Sequence, residues 1–260
     1  MRVALGVEYD GRVFHGWQAQ QPGVRTVQGA LEAALSKVAN HPVRVVCAGR
    51  TDTGVHAFGQ VVHFDTEAQR NPRNWLLGCN VNLPDDVSVT WAQPVDERFN
   101  ARFSAVSRRY RYLILNRTAR SAILAGRVSW SHYPLDAGRM HRAGQALLGE
   151  HDFSSYRALA CQAKSPVRTL HALQVERQGD FVVLSVHANA FLHHMVRNIA
   201  GVLMAIGRGE QAESWAAEVL ALRDRTLGGV TAPPQGLYLE AVEYPPEFAI
   251  PKAGLSGFSL

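Results

Sequence analysis

Apolar and polar residues alternate from the first positions of the chain. Val3, Leu5, Val7 and Tyr9 stand on one side of the alternation, which predicts a half-buried strand over residues 2–9 that Asp10-Gly11 turns. A polar stretch follows, with Phe14, His15, Gly16 and Trp17 and a glutamine-rich run. Thr26 then suits an N-cap, and Val27, Leu31, Ala34, Leu35 and Val38 recur at helical spacing until Asn40 and Pro42 end the helix. Apolar runs from Val43 to Cys47 and from Gln60 to Phe64 predict two strands. With a helix from Pro72 and a strand from Val87 to Ala92, the order is β-α-β-β-α-β, the split βαβ of ferredoxin-like folds.

The second part repeats that order with one helix added. Ser107 to Leu115 reads as a strand with Tyr110, Tyr112 and Ile114 on one face and Arg108, Arg109 and Arg111 clustered about them. Asp136 caps a helix that uses Met140, Ala143, Leu147 and Leu148, and His151 to Tyr156 reads as loop. Strands from Val167 to Val175 and Phe181 to His187 are joined through Gln178-Gly179-Asp180. Met195, Ile199, Val202, Leu203 and Ile206 mark a helix that Gly207 stops, Trp215, Val219 and Leu222 a shorter one, and Leu237 to Tyr244 the last strand. The expected fold is α+β: two ferredoxin-like (RRM-like) βαββαβ halves whose antiparallel sheets abut into a central sheet with a cleft between them. The halves divide as 1–103 and 104–245, followed by a surface tail, 246–260.

Composition narrows the function. A chain of 260 residues with 47% apolar content suffices for one large domain or two small ones. No apolar run approaches the roughly 20 residues of a membrane helix, and the N-terminus lacks the apolar region of a signal peptide, so a cytoplasmic location is expected. Cys47, Cys79 and Cys161 are widely spaced, which predicts reduced thiols and no disulfide. The formal charge of +5, a sequence pI near 9.4 and the excess of arginine over lysine make nucleic acid the first partner to consider. Many basic proteins bind none.

One loop, Ala48-Gly49-Arg50-Thr51-Asp52-Thr53-Gly54-Val55-His56-Ala57, joins the strands ending at Cys47 and beginning at Gln60. Asp52-Thr53-Gly54 is the triplet of aspartic proteases, but they need two carboxylates sharing a proton, and the chain has one triplet, with Arg50 beside it to hold Asp52 ionised. His56, His63, His193 and His194 lack metal-ligand spacing, and no glycine-rich phosphate loop is present, so neither a metal nor a nucleotide cofactor is expected. Two readings of Asp52 stay open on the residues alone. It is a nucleophile or general base working without cofactor, or it caps a tight turn with Arg50 as its surface partner.

The ordered set of motifs separates them. Tyr9-Asp10-Gly11 with Phe14-His15-Gly16-Trp17-Gln18, Thr26-Val27-Gln28, and Gly49 through Ala57 resemble TruA-type tRNA pseudouridine synthases in order and spacing. So do Arg108-Arg109-Tyr110-Arg111-Tyr112, His151-Asp152-Phe153-Ser154-Ser155, Phe191 through Asn198, and Ala232 through Leu239. Thr53 stands where the family usually has alanine. The resemblance implies a homodimer that isomerises uridines at positions 38, 39 and 40 of the tRNA anticodon arm, in the cleft between the halves, with no metal or cofactor. Residue by residue, it implies Asp52 as nucleophile, Tyr110 as the ring stacking on the target uracil, Arg197 as the partner of Asp52, and Arg50 as a group that binds the RNA or holds the flipped base's place. Arg108, Arg109, Arg111 and His56 are the expected further RNA contacts. The alternative is a non-catalytic tRNA-binding or tRNA-folding module with a structural aspartate.

Overall fold

A computed structural model describes residues 1–251. In chain order the elements are β1 (Arg2–Tyr9), α1 (Val27–Ala39), β2 (Val46–Cys47), β3 (His56–Asp65), α2 (Pro72–Asn82), β4 (Val87–Val95), β5 (Ser107–Asn116), β6 (Ser129–Ser131), α3 (Ala137–Gly144), β7 (Gly149–Asp152), β8 (Val167–Gln178), β9 (Phe181–Ala188), α4 (Met195–Gly207), α5 (Trp215–Leu222) and β10 (Leu237–Glu243). The architecture is α+β with mostly antiparallel pairing. No helix among the described residues is long and apolar enough to cross a membrane.

The chain forms two compact units, one of residues 1–106 with 238–251 and one of residues 107–237. The last strand therefore belongs with the first unit, whereas the sequence pattern counted it with the second half. Its partner explains why: Tyr238 and Leu239 pair in parallel with His56 and Ala57 of β3.

In the first unit β1 is central, antiparallel to both β3 and β4, and Val3, Ala4, Leu5 and Val7 have no solvent exposure. Strands buried on both faces give up strict alternation, which is why alanine and glycine sit between the larger residues. The lateral order is β4, β1, β3, with β2 on β3. α1 begins where Thr26 accepts from the Gly29 amide and ends at Asn40 with φ of 60°, both as the sequence predicts. β2 is shorter than expected because Val43 and Val45 donate their amides to Ser36 Oγ and Glu32 Oε1 on α1, not to a neighbouring strand. The start of the expected surface tail also folds back: Phe248 meets Phe99 edge-on at 5.3 Å, and Gln93 donates to its carbonyl. The rest of that tail, 252–260, lies outside the described residues.

In the second unit β5 lies between β6, parallel to it, and β9, antiparallel, and β8 and β7 follow outward. β6 and β7 are too short to leave a pattern in the sequence, and β7 occupies part of a predicted loop. α4 is buried on most of its circumference, and a Cβ at Gly201 would lie 1.7 Å from the Val230 carbonyl oxygen, so only glycine lets the 230–232 segment pass so close.

Candidate active site

Asp52 belongs to the first unit, in the turn between β2 and β3. The turn closes by a bond from the Val55 amide to the Asp52 carbonyl, and Gly54 at φ of 79° supplies the left-handed step. Around it the backbone is held from several sides. Ala48 donates to the Val61 carbonyl at 2.8 Å, and Trp17 donates to the Thr51 carbonyl at 3.0 Å. Gln60, with no solvent exposure, donates through Nε2 to the Gly49 carbonyl at 2.6 Å and accepts at Oε1 from the Gly49 amide at 3.4 Å. The Tyr9 hydroxyl lies 2.8 Å from Thr51 Oγ1, both groups buried.

These contacts leave Asp52 half-buried and Arg50 exposed. The adjoining Phe14 to Gln28 segment makes the same loop from the other side. Gly16 adopts φ of 83°, and a Cβ there would stand 2.8 Å from the Thr51 carbonyl oxygen, so that position admits glycine on two counts. Gln18 and Ala19 both donate to Gln28 Oε1, and Gln28 donates to the buried Glu32 carboxylate, which Arg44 also engages. The glutamine-rich run is thus partly a structural brace.

His56 was expected to touch RNA, yet its ring is 2% exposed. Its Nδ1 accepts from the Gly11 amide at 3.0 Å, and the ring stacks on Tyr238 with centroids 4.5 Å apart. The ring braces the loop from within. Asp10 lies 3.3 Å from that same nitrogen. Burial pushes the Asp10 carboxyl up, but hydrogen bonds with Arg12 and the nearby His56 hold it below its ordinary value. Cys47, at the edge of the loop, has its thiol pushed up to about 12 by burial, against a smaller opposing pull from Arg50. It stays protonated near neutrality and is no rival nucleophile.

The remaining expected residues belong to the second unit. Tyr110 is central in β5, opposite Val186, 8% exposed, with Phe191 edge-on at 5.0 Å. The pleat divides its arginine neighbours: Arg108 shares the face of Tyr110 and Tyr112, whereas Arg109 and Arg111 point to the other face. Arg109 is exposed, Arg108 and Arg111 are half-buried, and Arg108 donates to the Asn189 carbonyl. Tyr112, fully buried, bonds Ser129 Oγ and the Pro233 carbonyl, and burial raises its phenol well above the usual value. Arg197 lies in the first turn of α4. Its Nε donates to the Ala232 carbonyl while its own carbonyl accepts from the Ala232 amide, which links the motif around Arg197 to the one around Pro233. His194, just before α4, takes φ of 63°, uncommon for a side chain of that size.

Sequence reasoning gave no role to Gln60, or to Asn198 at the end of its motif. Both are buried polar groups inside apolar runs, and that placement was the available signal. Asn198 donates to the Tyr156 carbonyl and accepts from Arg225 and Thr231.

A model of the family described as tRNA pseudouridine synthase matches residues 6–104 and 143–245. Curated relatives called tRNA pseudouridine synthase A align over nearly the whole chain. That of Nitrosococcus oceani is 63% identical over 252 residues, 97% of this chain and 97% of its own. That of Alcanivorax borkumensis is 60% identical over 250 residues, 96% and 94% of the two chains. That of Pseudomonas aeruginosa is 60% identical over 251 residues, 96% and 88%. A solved structure titled "Crystal Structure of a Cbf5-Nop10-Gar1 Complex" aligns at 13% identity and a TM-score of 0.33, over 78% of this chain and 45% of that one, too loose a match to carry an argument about fold.

Proposed function

The chain belongs to the tRNA pseudouridine synthase family, and from that premise we propose that it converts uridine to pseudouridine in the tRNA anticodon arm with Asp52 as nucleophile. Isomerisation breaks the bond from C1′ to N1 and remakes it from C1′ to C5. The C5 proton leaves and N1 gains one, so no redox partner or added group is required. Asp52 adds to C6, attacks C1′, or acts through a glycal; all three begin from an oriented carboxylate.

The observation that carries this reading is the loop itself: its backbone is fixed by buried groups of the same unit while the Asp52 carboxylate remains half-buried. A nucleophile held in this way needs little reorganisation to react. The target base must leave its stack at a cost of a few kcal/mol. Tyr110 is the ring on which it stacks, returning roughly 1–3 kcal/mol, and Arg197 is the guanidinium that pairs with the nucleophile. Arg50, Arg108, Arg109 and Arg111 contact the RNA, mainly its phosphates. The two units act as the two ferredoxin-like halves of the expected fold. The chain works in the cytoplasm as a homodimer. Exposed Trp130 and Tyr133, each in ring contact with His132, are apolar surface of the kind a second copy covers.

Incubation of the protein with an unmodified tRNA transcript, followed by carbodiimide adduct mapping, tests the reaction. Pseudouridine confined to the anticodon arm is expected. Bound tRNA with no base converted would favour the binding-module reading, and sedimentation as a monomer at micromolar concentration would remove the dimer.

A further inference from the structure

The Asp52 loop is clamped by a buried amide that no motif includes. Gly49 presents both its carbonyl and its amide to the carboxamide of Gln60, and only one amide orientation satisfies both, with Nε2 on the carbonyl and Oε1 on the amide. The second Nε2 proton points to the Tyr9 hydroxyl at 3.5 Å, and that hydroxyl is 2.8 Å from Thr51 Oγ1. A continuous chain therefore runs from Gly49 through Gln60 and Tyr9 to Thr51. It spans the three residues before Asp52 without using the Arg50 or Asp52 side chains. Gln60 has no exposure, Tyr9 has 5% and Thr51 has 8%, and their polar groups are turned towards one another.

We propose that Gln60, Tyr9 and Thr51 are positioning residues for the reaction: together they fix the backbone from Gly49 to Thr51 and so aim the carboxylate of Asp52. The inference rests on Asp52 as nucleophile. Its physical basis is the steep dependence of attack on geometry, in which a displacement of about 1 Å costs on the order of a hundredfold in rate. A buried amide that satisfies both the N–H and the C=O of one residue ties down two successive peptide groups, because rotation of either leaves polar groups unpaired away from water.

Single-site variants of the full chain test this by steady-state kinetics on tRNA, with melting temperature measured alongside. Tyr9→Phe and Thr51→Val each remove one hydroxyl at nearly constant shape, and each should lower kcat about tenfold with KM within about twofold. Combined, they should do no more than Tyr9→Phe alone, because the one bond that Thr51→Val breaks is already lost with the Tyr9 hydroxyl. Thr51→Ser, which restores the hydroxyl, should recover most of the rate lost in Thr51→Val. Gln60→Met should cost about a hundredfold in kcat; if it does not fold, the two hydroxyl variants decide.

Unchanged kcat in folded Tyr9→Phe and Thr51→Val, or a rise in KM alone, would overturn the proposal. Asp52→Asn in the same assay separates the failures. Turnover kept by Asp52→Asn would remove the nucleophile and this proposal with it. Turnover lost by Asp52→Asn but kept by the hydroxyl variants would remove the proposal alone.

Discussion

Asp52 stands on a loop whose backbone is held by side chains from β1 and β3 and by a neighbouring segment, whereas Tyr110 stands on a strand whose backbone is held by its ladder to β9. On β5 the pleat alone decides what faces where, so Arg109 can change without moving Tyr110. In the loop no period exists. The direction of one carboxylate depends on Gly11, Gly16, Gln60, Tyr9 and Thr51, most of which lie far from it in sequence. The two regions should therefore respond differently to substitution: the loop to changes at remote buried positions, the strand to changes in the functional side chain itself.

The largest expected effect on the strand is that of Tyr110→Ala. Loss of the stacking ring should lower turnover about a hundredfold while tRNA affinity falls about tenfold at most, measured as kcat against Kd. Equal losses in both would contradict the stacking role. The loop should break from a distance in Gly11→Ala. A Cβ there would lie 2.0 Å from the Val55 carbonyl oxygen, and relief of that overlap should cost about 2 kcal/mol, seen as a fall in Tm of about 4–8 °C together with lower kcat.

A third test uses His63 on β3. Burial, with a smaller effect from Arg2, lowers its pKa from 6.5 to about 4, and its Nδ1 accepts from the Ala101 amide. The native ring stays neutral while the unfolded ring protonates first, so this contribution is present above pH 6.5 and is lost as pH falls towards 4, at up to about 1.4 kcal/mol per pH unit. His63→Asn, which keeps an acceptor but does not titrate, should flatten the urea midpoint between pH 6.5 and 4.5. The smallest expected effect is Arg109→Ala, a few-fold loss of tRNA affinity that lowers the slope of log Kd against log salt by about one, with kcat unchanged at saturating tRNA.

Periodicity in the sequence carried α1 and β5, and apolar density carried β1 and α4, which are buried on most sides; Thr26 and Asp136 marked helix starts through their own side chains, and Asn40 a helix end through its left-handed backbone. It misled where a side chain from elsewhere took the place of a strand partner. Glu32 and Ser36 capture the amides of Val45 and Val43 and shorten β2, and no local pattern reports that. The last strand was legible as a strand but not as a member of the first unit, since its partner β3 lies far away in the chain. At the site, Asp52 stood out because glycines and an arginine surround it. Burial, invisible in a motif, separates the roles of the residues around it: it turns His56 into a support and raises Gln60 to the central clamp.

The central claim is a carboxylate-dependent isomerisation at Asp52, and release of tritium from tRNA carrying C5-labelled uridine reads it directly, because the new glycosidic bond at C5 displaces the hydrogen there. Wild-type protein and Asp52→Asn, which keeps the side chain's shape and removes its charge, are compared at equal tRNA occupancy. The account predicts release by the wild type and none above background by Asp52→Asn with tRNA still bound. Release by Asp52→Asn at the wild-type rate would contradict it.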